Sequence, residues 1–178
     1  MKLEDAKVLA EKICEVLQPF CERAEVAGSI RREKPEVNDI DVVALPKAVD
    51  LPGGLCGIVK VDPSTVWKNL IPGALIKIGF DIEASGPELL RFAFHLNGFQ
   101  LDLYRARPGT WGVILLVRTG SKEHNVKLCG LAKSKGYKLS AAHGVLDCYG
   151  EVIAASTEEA IFKSLGLAFV EPKDREVT

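Results

Sequence analysis

The first part of the chain has apolar residues at the three- and four-residue spacing of one helix face. That spacing predicts an amphipathic helix over residues 3–18, which Pro19 ends. Two short apolar segments at residues 25–27 and 38–45 then predict strands. The loop between them, residues 28–32, contains glycine, serine and arginine. The chain therefore begins with a helix, a strand, a loop and a second strand.

The segment after the second strand predicts a loop and then a short helix. Residues 46–57 are rich in Pro and Gly and are expected to form a loop. Asp62 followed by Pro63 is typical of a helix start, because aspartate caps the first turn and proline fits its first position. We expect this helix to end before Pro72. The alternating pattern at residues 75–83 predicts a further strand.

A hairpin is predicted around Asn97-Gly98. Apolar segments at residues 89–96 and 99–105 flank this dipeptide. Asn-Gly is the strongest short-range signal for a tight hairpin turn. The second strand carries Asp102 between Leu101 and Leu103.

The pattern changes after Pro108-Gly109 to shorter elements. A short apolar segment ends at residues 118–121, and Ser121 is a suitable cap for a helix that runs to residue 135. Short strands are predicted at residues 137–140 and 145–148. A capping box at residues 156–159 then predicts a final helix that ends at residue 165. The fold class is therefore predicted as α+β, with one unit over residues 1–106 and a smaller one over residues 107–178.

Asp39 and Asp41 stand one residue apart on the second predicted strand. Alternate residues of a strand point to the same face, so both carboxylates leave the sheet on one side. Two close carboxylates repel each other, and a divalent cation with hard oxygen ligands, such as Mg²⁺, relieves that repulsion. An isolated Asp-x-Asp usually lies in a solvated turn, but here it follows a phosphate-binding type of loop between two apolar strands.

That loop has the residue types that hold a phosphate. Gly28 lets the backbone approach closely, Ser29 offers N–H and hydroxyl donors, and Arg31 and Arg32 can pair with phosphate oxygens in a fork. A phosphate cradle beside a metal-binding carboxylate pair indicates nucleotide transfer. Asp102 also needs a partner, because a carboxylate between two leucines is costly to bury alone. We interpret it as a third ligand of the same cation, the alternative being a surface residue.

Composition narrows the class of protein. The chain has 178 residues, is 47% hydrophobic and has a formal net charge of −1, so neither disorder nor a generally basic surface is expected. No apolar run is long enough for a bilayer, and the N-terminus has no signal-peptide core. We expect an intracellular protein, cytoplasmic or nucleoid-associated, with a viral origin open. The five scattered cysteines are expected to be free thiols.

Basic residues concentrate in one stretch whose sole acid is Glu123. A run of this kind can follow a phosphate backbone, although it suits a solvated helix face equally well. The basic residues are Arg118, Lys122, Lys127, Lys133, Lys135 and Lys138.

Four segments in this order resemble the family X DNA polymerases, the group of DNA polymerase beta. The resemblance as a whole covers the chain from near residue 5 to its end. The third and fourth segments are the most particular to the family. The segments are Gly28-Ser29-x-Arg31-Arg32 with Asp39-Ile40-Asp41; Gln100-Leu101-Asp102-Leu103; Thr119-Gly120-Ser121-Lys122-Glu123-His124-Asn125; and Glu158-Glu159-Ala160-Ile161-Phe162 with Glu171-Pro172-Lys173-Asp174-Arg175.

The resemblance implies a palm with a mixed sheet, followed by a small nucleotide-binding thumb. It implies that Asp39, Asp41 and Asp102 are the catalytic residues and hold two Mg²⁺ ions, with Mn²⁺ as a substitute. Lys122, Lys127 and Lys133 are expected to contact DNA. The nucleotide-binding residues it implies are Gly28, Ser29, Arg32, Asn38, Thr119, Gly120 and Asn125.

The partners implied are dNTP and a DNA primer–template or gapped DNA, with no membrane and a monomeric protein. The activity implied is template-directed DNA polymerisation, with pyrophosphate release, in short-gap repair. Two alternatives stay open at this point. One is a template-independent terminal transferase or another nucleotidyltransferase, and the other is a non-catalytic module that binds DNA ends. The three converging acids argue against the second.

The chain departs from the family pattern at three positions. Val117 and Arg118 stand where relatives have an aromatic pair beside the sugar, and Cys129 stands where many have an arginine on the template strand. The chain also begins almost at the palm, as in the minimal viral members. We expect weaker exclusion of ribonucleotides, unless the backbone at Thr119 alone selects the sugar.

Overall fold

The computed structural model describes residues 1–53 and 57–176. The first unit opens with a long helix and ends with the hairpin that carries Asp102. Its elements are helix α1 (Leu3–Leu17), a 3₁₀ turn (Gln18–Phe20), strand β1 (Cys21–Val26), helix α2 (Gly28–Arg31), and strands β2 (Asp39–Pro46), β3 (Val49–Pro52) and β4 (Ile58–Val61); then helix α3 (Pro63–Thr65), a π-helical stretch (Val66–Leu70), helix α4 (Ile71–Lys77), and strands β5 (Phe80–Ser85), β6 (Leu89–Phe94) and β7 (Phe99–Arg105).

Five of these strands form one mixed sheet in the order β1-β2-β7-β6-β5. The central pair, β2 and β7, is parallel, and the other pairs are antiparallel. The predicted α+β class with a mixed sheet is confirmed.

The two faces of the sheet have different functions. One face packs against α1 and the helical segment of residues 63–77, and its core includes Ile40, Val42 and Leu101, all with no exposed surface. Because side chains alternate along a strand, the odd-numbered residues of β2 point to the other face. There Val43 packs with Trp111 and Leu115 of the second unit. The aspartates therefore face the second unit rather than the main core.

The second unit, after residue 106, is built from short elements. They are helix α5 (Trp111–Thr119), helix α6 (Lys122–Ser134), strands β8 (Lys138–Ser140), β9 (Gly144–Leu146) and β10 (Val152–Ala154), helix α7 (Glu158–Ser164) and a 3₁₀ turn (Pro172–Arg175). The three strands form a small antiparallel sheet, β10-β9-β8. A separate apolar cluster that includes Val113, Leu116 and Phe162 fills the unit.

Three helix starts follow the capping rules used on the sequence. Asp62 Oδ1 accepts hydrogen bonds from the N–H groups of Ser64 and Thr65 at 2.8 and 3.1 Å. The Ser121 Oγ accepts from the N–H of His124 at 3.1 Å. Thr157 rather than Ser156 caps α7, by accepting from Ala160 N–H at 3.1 Å, so the helix starts as predicted to within one residue, but Ala160 stands where a capping box requires Glu or Gln. These helix starts are confirmed.

Three predictions of local structure are wrong. The helix that begins at Pro63 does not end before Pro72, because Pro72 lies in the first turn of α4, where a missing N–H is tolerated. Residues 75–77 accordingly belong to α4, and the strand predicted there starts only at Phe80. The segment predicted as a loop over residues 46–57 contains β3, while residues 54–56 lie outside the described residues.

The two units meet through a small apolar cluster that includes Ala27, Val43, Trp111 and Leu115. Within the second unit, Gly112 in the first turn of α5 donates its N–H to Ser156 O at 3.1 Å. A Cβ at Gly112 would lie within 2.5 Å of the backbone of Thr157, so only glycine allows this approach. The division into units at residues 106 and 107 stays a prediction. Among the helices of the described ranges, none is both long and apolar enough to cross a membrane.

Candidate active site

The paired carboxylates lie at the centre of the sheet. In the parallel β2–β7 pair, Asp41 is the register partner of Asp102, and Asp39 is the partner of Gln100. Asp102 is 3% exposed, whereas Asp39 and Asp41 are half-buried. The structure therefore brings the aspartates of two distant segments together on the face opposite the main core.

The electrostatics of Asp41 reflect this crowding. Burial, followed by the negative charges of Asp39 and Asp102, raises the pKa of the Asp41 carboxyl to about 7. Hydrogen bonding with Tyr104 and the charge of Arg118 lower it by a smaller amount. The ionised form of Asp41 is therefore unfavourable, and binding of a cation or a proton would stabilise this residue.

Asp102 already has partners within the protein. Arg91 donates to both of its oxygens in a fork, at 2.7 Å each, and the Tyr104 hydroxyl donates to Oδ2 at 3.1 Å. Sequence analysis expected a cation as the partner of Asp102 and missed Arg91, which lies directly opposite it on β6. Among the residues that the structure describes, no three Asp, Glu, His or Cys side chains are grouped as a ready-made metal site.

Gly28 lies directly against Asp41. Its φ is +58°, in the left-handed region that favours glycine. A Cβ on Gly28 would clash with Asp41 Oδ2 and lie 2.8 Å from Asp41 Cγ. The N–H of Ala27 also donates to Asp41 O at 2.8 Å. The glycine is therefore required by the position of the carboxylate, a role that sequence analysis had assigned to approach of a phosphate.

The segment predicted as a phosphate loop is a short helix rather than an open loop. Residues Gly28–Arg31 form α2, whose hydrogen bonds include Arg32 N–H to Gly28 O. The Ser29 Oγ is buried and has no hydrogen-bond partner within the described part of the chain. A buried hydroxyl without a partner is costly and fits a polar ligand. Asn38 is exposed just before β2.

The two arginines of this segment reach the second unit. Arg31 donates to Thr119 Oγ1 at 2.7 Å. Arg32 donates to the carbonyl oxygens of Thr119 and Gly120, at 2.5 and 2.9 Å, and to Glu176 at 2.5 Å. Arg32 and Thr119-Gly120, which were expected to bind one nucleotide, are therefore brought together.

A buried ion-pair network connects the units at the same place. Glu158 accepts a fork from Arg31 at 3.0 and 2.7 Å, and one bond from Arg175 at 2.6 Å. Glu158 is 5% exposed and Arg175 has no exposed surface. Burial alone would raise the pKa of the Glu158 carboxyl, but the two arginines outweigh it and hold the pKa below its usual range.

We expect Glu158→Gln to destabilise the protein by about 3 kcal/mol, because it leaves the guanidinium of Arg175 buried without a counter-charge. Glu159→Gln is the matched control, since Glu159 is the next residue of α7 and is exposed. Urea unfolding of both variants at neutral pH measures the difference. A loss below about 1 kcal/mol for Glu158→Gln would show that the network contributes little to folding.

The remaining nucleotide-site candidates lie around the end of α5. Asn125 Nδ2 donates to Val117 O at 2.8 Å, and a Cβ at Gly120 would lie 3.1 Å from Asn125 Cγ. Thr119 is wholly buried. The Arg118 guanidinium lies over the ring of Tyr104, 4.0 Å from its centroid. Arg118 thus stacks on the palm, an arrangement that sequence analysis did not consider.

The three lysines proposed for DNA are exposed on α6 but do not form one row. At 100° per residue, Lys133 lies about 20° around the helix from Lys122, whereas Lys127 lies about 140° away. The buried residues of α6 are His124, Leu128 and Ala132. Lys122 and Lys133 therefore share the outward face, and Lys127 lies near its edge.

Comparison with known proteins agrees with this arrangement. Residues 114–176 match the family model of the DNA polymerase beta thumb. The chain is 27% identical over 152 residues to the repair DNA polymerase X of African swine fever virus (isolate Warthog), covering 83% of this chain and 78% of that protein. It is 29% identical over 156 residues to the DNA polymerase/3′-5′ exonuclease PolX of Bacillus subtilis, covering 84% of this chain and 24% of that protein.

A solved structure supports the fold. The ternary primer–template complex of Leishmania infantum polymerase beta has a TM-score of 0.78 and 18% identity, covering 99% of this chain and 77% of that one. The mixed sheet, its paired aspartates and the following small unit define a polymerase beta-like nucleotidyltransferase fold. These likenesses support a family X DNA polymerase, as the sequence motifs predict.

Proposed function

We propose that the protein is a template-directed DNA polymerase that fills short gaps during DNA repair. It transfers a nucleotide from a dNTP to a primer 3′-hydroxyl and releases pyrophosphate. The observation that carries the proposal is the parallel register of Asp41 and Asp102, with Gly28 packed against Asp41. The viral relative's name, repair DNA polymerase X, supports the same activity.

The donor set fits divalent cations. Asp39, Asp41 and Asp102 supply hard carboxylate oxygens, and a cation would offset the burial and the neighbouring negative charges that raise the pKa of Asp41. These three residues would hold two Mg²⁺ ions, with Mn²⁺ as a substitute. When bound, such ions lower the pKa of the primer hydroxyl and neutralise charge on the leaving pyrophosphate.

The protein's own groups position the reactants. Asp102 is assigned as the carboxylate that accepts the proton of the primer hydroxyl, which requires it to exchange one of its hydrogen bonds with Arg91 or Tyr104. Ser29 has a free hydroxyl for a phosphate oxygen. Arg32 can exchange its contact with Glu176 for a phosphate. Further contacts to the nucleotide are assigned to Gly28, Asn38, Thr119, Gly120 and Asn125.

DNA is the proposed second substrate, as a primer–template or a gapped duplex. The two polymerase beta structures that this chain resembles were solved as a ternary primer–template complex and a ternary gap complex. In our proposal the outward face of α6, with Lys122 and Lys133, contacts the phosphate backbone. The formal net charge of −1 means that such a local cationic face has to supply the attraction.

The helix geometry predicts unequal effects of the lysines on DNA binding. Lys133→Gln should reduce the salt dependence of DNA affinity by about one phosphate contact. Lys127→Gln, which removes the same charge about 140° away from Lys122, should change the slope less. Fluorescence anisotropy of a labelled gapped duplex over a range of salt concentrations measures both slopes. Slopes equal to that of the wild type in both variants would place the DNA elsewhere on the protein.

A panel of labelled substrates tests the activity. Wild-type protein with Mg²⁺ and dNTPs is given a primed template, a gapped duplex and a single strand. We expect template-dictated extension of the primed template and the gapped duplex, and no extension of the single strand. Untemplated tailing would instead indicate a terminal transferase, and binding without extension would indicate a non-catalytic module.

A further inference from the structure

Tyr104 lies beside the paired carboxylates without having any assigned role. It is two residues after Asp102 on β7, so both side chains point to the same face of the sheet. Its hydroxyl donates to Asp102 Oδ2 at 3.1 Å. The same hydroxyl lowers the pKa of the nearby Asp41 carboxyl. The phenol therefore lies beside the carboxylates of both paired strands.

The hydroxyl is the third hydrogen-bond donor to Asp102. A carboxylate has about four lone-pair positions. The Arg91 fork uses one on each oxygen, and Tyr104 uses a second one on Oδ2. Arg91 comes from the neighbouring strand on one side, while Tyr104 approaches from the strand of Asp102 itself. Loss of the Tyr104 bond would leave Asp102 free to rotate about the Arg91 contact.

The ring of Tyr104 is held by the second unit. Arg118, on the last turn of α5, stacks on it at 4.0 Å, and no carboxylate pairs with Arg118 among the described residues. Tyr104 and Arg118 border a cavity of about 410 Å³ that also touches Ile114 and Ala141. The ring also packs against the apolar cluster that includes Val43 and Trp111, so this packing and the Arg118 stack together hold it in place.

The geometry points to Tyr104 as a positioning residue for Asp102, with Arg118 holding its ring in place. This inference rests on the proposed function, in which Asp102 binds a cation. It also gives Arg118 a role that differs from sugar selection. Arg118 immediately precedes Thr119-Gly120, so movement of α5 towards or away from a nucleotide would reach Asp102 through the Tyr104 ring.

Tyr104→Phe tests the inference because it keeps the ring and its stack and removes the hydroxyl alone. Two quantities are measured: Mn²⁺ binding to the free protein by electron paramagnetic resonance, and single-nucleotide insertion on a gapped duplex. We expect Mn²⁺ affinity and kcat each to fall by about tenfold, the usual cost of losing a group that orients a metal ligand. The KM for dNTP should stay within about twofold, because the hydroxyl donates to Asp102 and not to a residue assigned to the nucleotide.

Tyr137→Phe is the matched control, since Tyr137 is also half-buried but lies in the apolar cluster of the second unit. Its Mn²⁺ affinity and kcat should match the wild type. Arg118→Gln provides a second route, and we expect it to weaken Mn²⁺ binding less than Tyr104→Phe does. In the double variant Tyr104→Phe/Arg118→Gln, the loss should equal that of Tyr104→Phe alone, because Arg118 acts through the hydroxyl.

Unchanged Mn²⁺ affinity and kcat in Tyr104→Phe would overturn the inference. Additive losses in the double variant would overturn the part assigned to Arg118. Mn²⁺ binding also separates this test from that of the proposed function. If wild-type protein binds Mn²⁺ but extends no primer, the proposed function is wrong, while the effect of Tyr104→Phe on Mn²⁺ binding still decides the role of the hydroxyl.

Discussion

Asp41→Asn is expected to abolish nucleotide insertion and, at the same time, to stabilise the protein. The rate should fall by about 10³-fold or more, because the variant removes a carboxylate that the proposed cations share. The free energy of unfolding of metal-free protein should rise at about pH 8, because the amide removes a charge that burial, Asp39 and Asp102 all disfavour.

The sign of the pH dependence follows from the raised pKa of Asp41. Between the pKa of the unfolded chain, near 3.8, and the folded value of about 7, the folded protein binds more protons. Wild-type stability is therefore lost as pH rises through about 7, relative to Asp41→Asn. The stability gained from the substitution should grow from near zero at about pH 4 to on the order of 2–4 kcal/mol at about pH 8.

Urea unfolding in the presence of a chelator, at a series of pH values, measures this difference. Asp50→Asn is the control, because Asp50 is exposed on β3, which belongs to a separate two-stranded sheet. If the difference in unfolding free energy between Asp41→Asn and wild type does not change with pH, the fold does not disfavour the ionised form of Asp41. Retained insertion activity in Asp41→Asn would show that this carboxylate is not part of the reaction.

Gly28→Ala is the second change with a large expected effect. The added methyl group would overlap the Asp41 carboxylate, and alanine is strained at a φ of +58°. Asp41 must then rotate away, or α2 must lift from the end of β2. A displacement of about 1 Å in a catalytic group can cost about 10²-fold in rate, so we expect kcat to fall by at least about that factor.

Gly130→Ala is the matched control for this substitution. Gly130 lies in α6, and a Cβ there would meet no atom within 4 Å, so insertion should be unchanged. The double variant Gly28→Ala/Asp41→Asn should lose little more insertion activity than Asp41→Asn alone. The reason is that the methyl group of Gly28→Ala acts by displacing the Asp41 carboxylate. Near-normal insertion by Gly28→Ala would mean that the observed contact is not needed for catalysis.

Much of the fold was predictable because local signals agree with the tertiary structure. The helix at the N-terminus, the three capped helix starts and the strand of Asp39 and Asp41 all follow from short-range rules. Pro72 was misinterpreted because proline is read as a stop, whereas the π-helical stretch before it lets the helix restart with Pro72 in its first turn. Strands β3 and β10 contain four and three residues, which is too short to show a recognisable alternation of apolar and polar residues.

The partner of Asp102 was missed because the hairpin has a different register from the one its sequence suggests. A two-residue Asn97-Gly98 turn would place Ala93 opposite Asp102. In the structure β6 ends at Phe94 and Gly98 N–H donates to Phe94 O at 2.7 Å, so the connection is longer. This shift of two residues places Arg91 opposite Asp102. Register is set by the turn, and composition alone does not reveal it.

The contacts between the units were also beyond sequence reasoning. Glu158 was interpreted as part of a capping box, but it is buried between Arg31 and Arg175, which are 127 and 17 residues away. Such contacts depend on how the two units pack, and no local pattern encodes that packing. The family assignment succeeded because it used the order of four motifs, and it is confirmed.

The most direct test of the central claim is single-nucleotide insertion into a gapped duplex with Mg²⁺, with each dNTP supplied alone. We predict that wild-type protein inserts the nucleotide complementary to the template base and releases pyrophosphate. Asp102→Asn should insert no nucleotide. Insertion that ignores the template base would contradict template direction. Insertion by Asp102→Asn at a rate near that of the wild type would contradict the role given to the paired carboxylates.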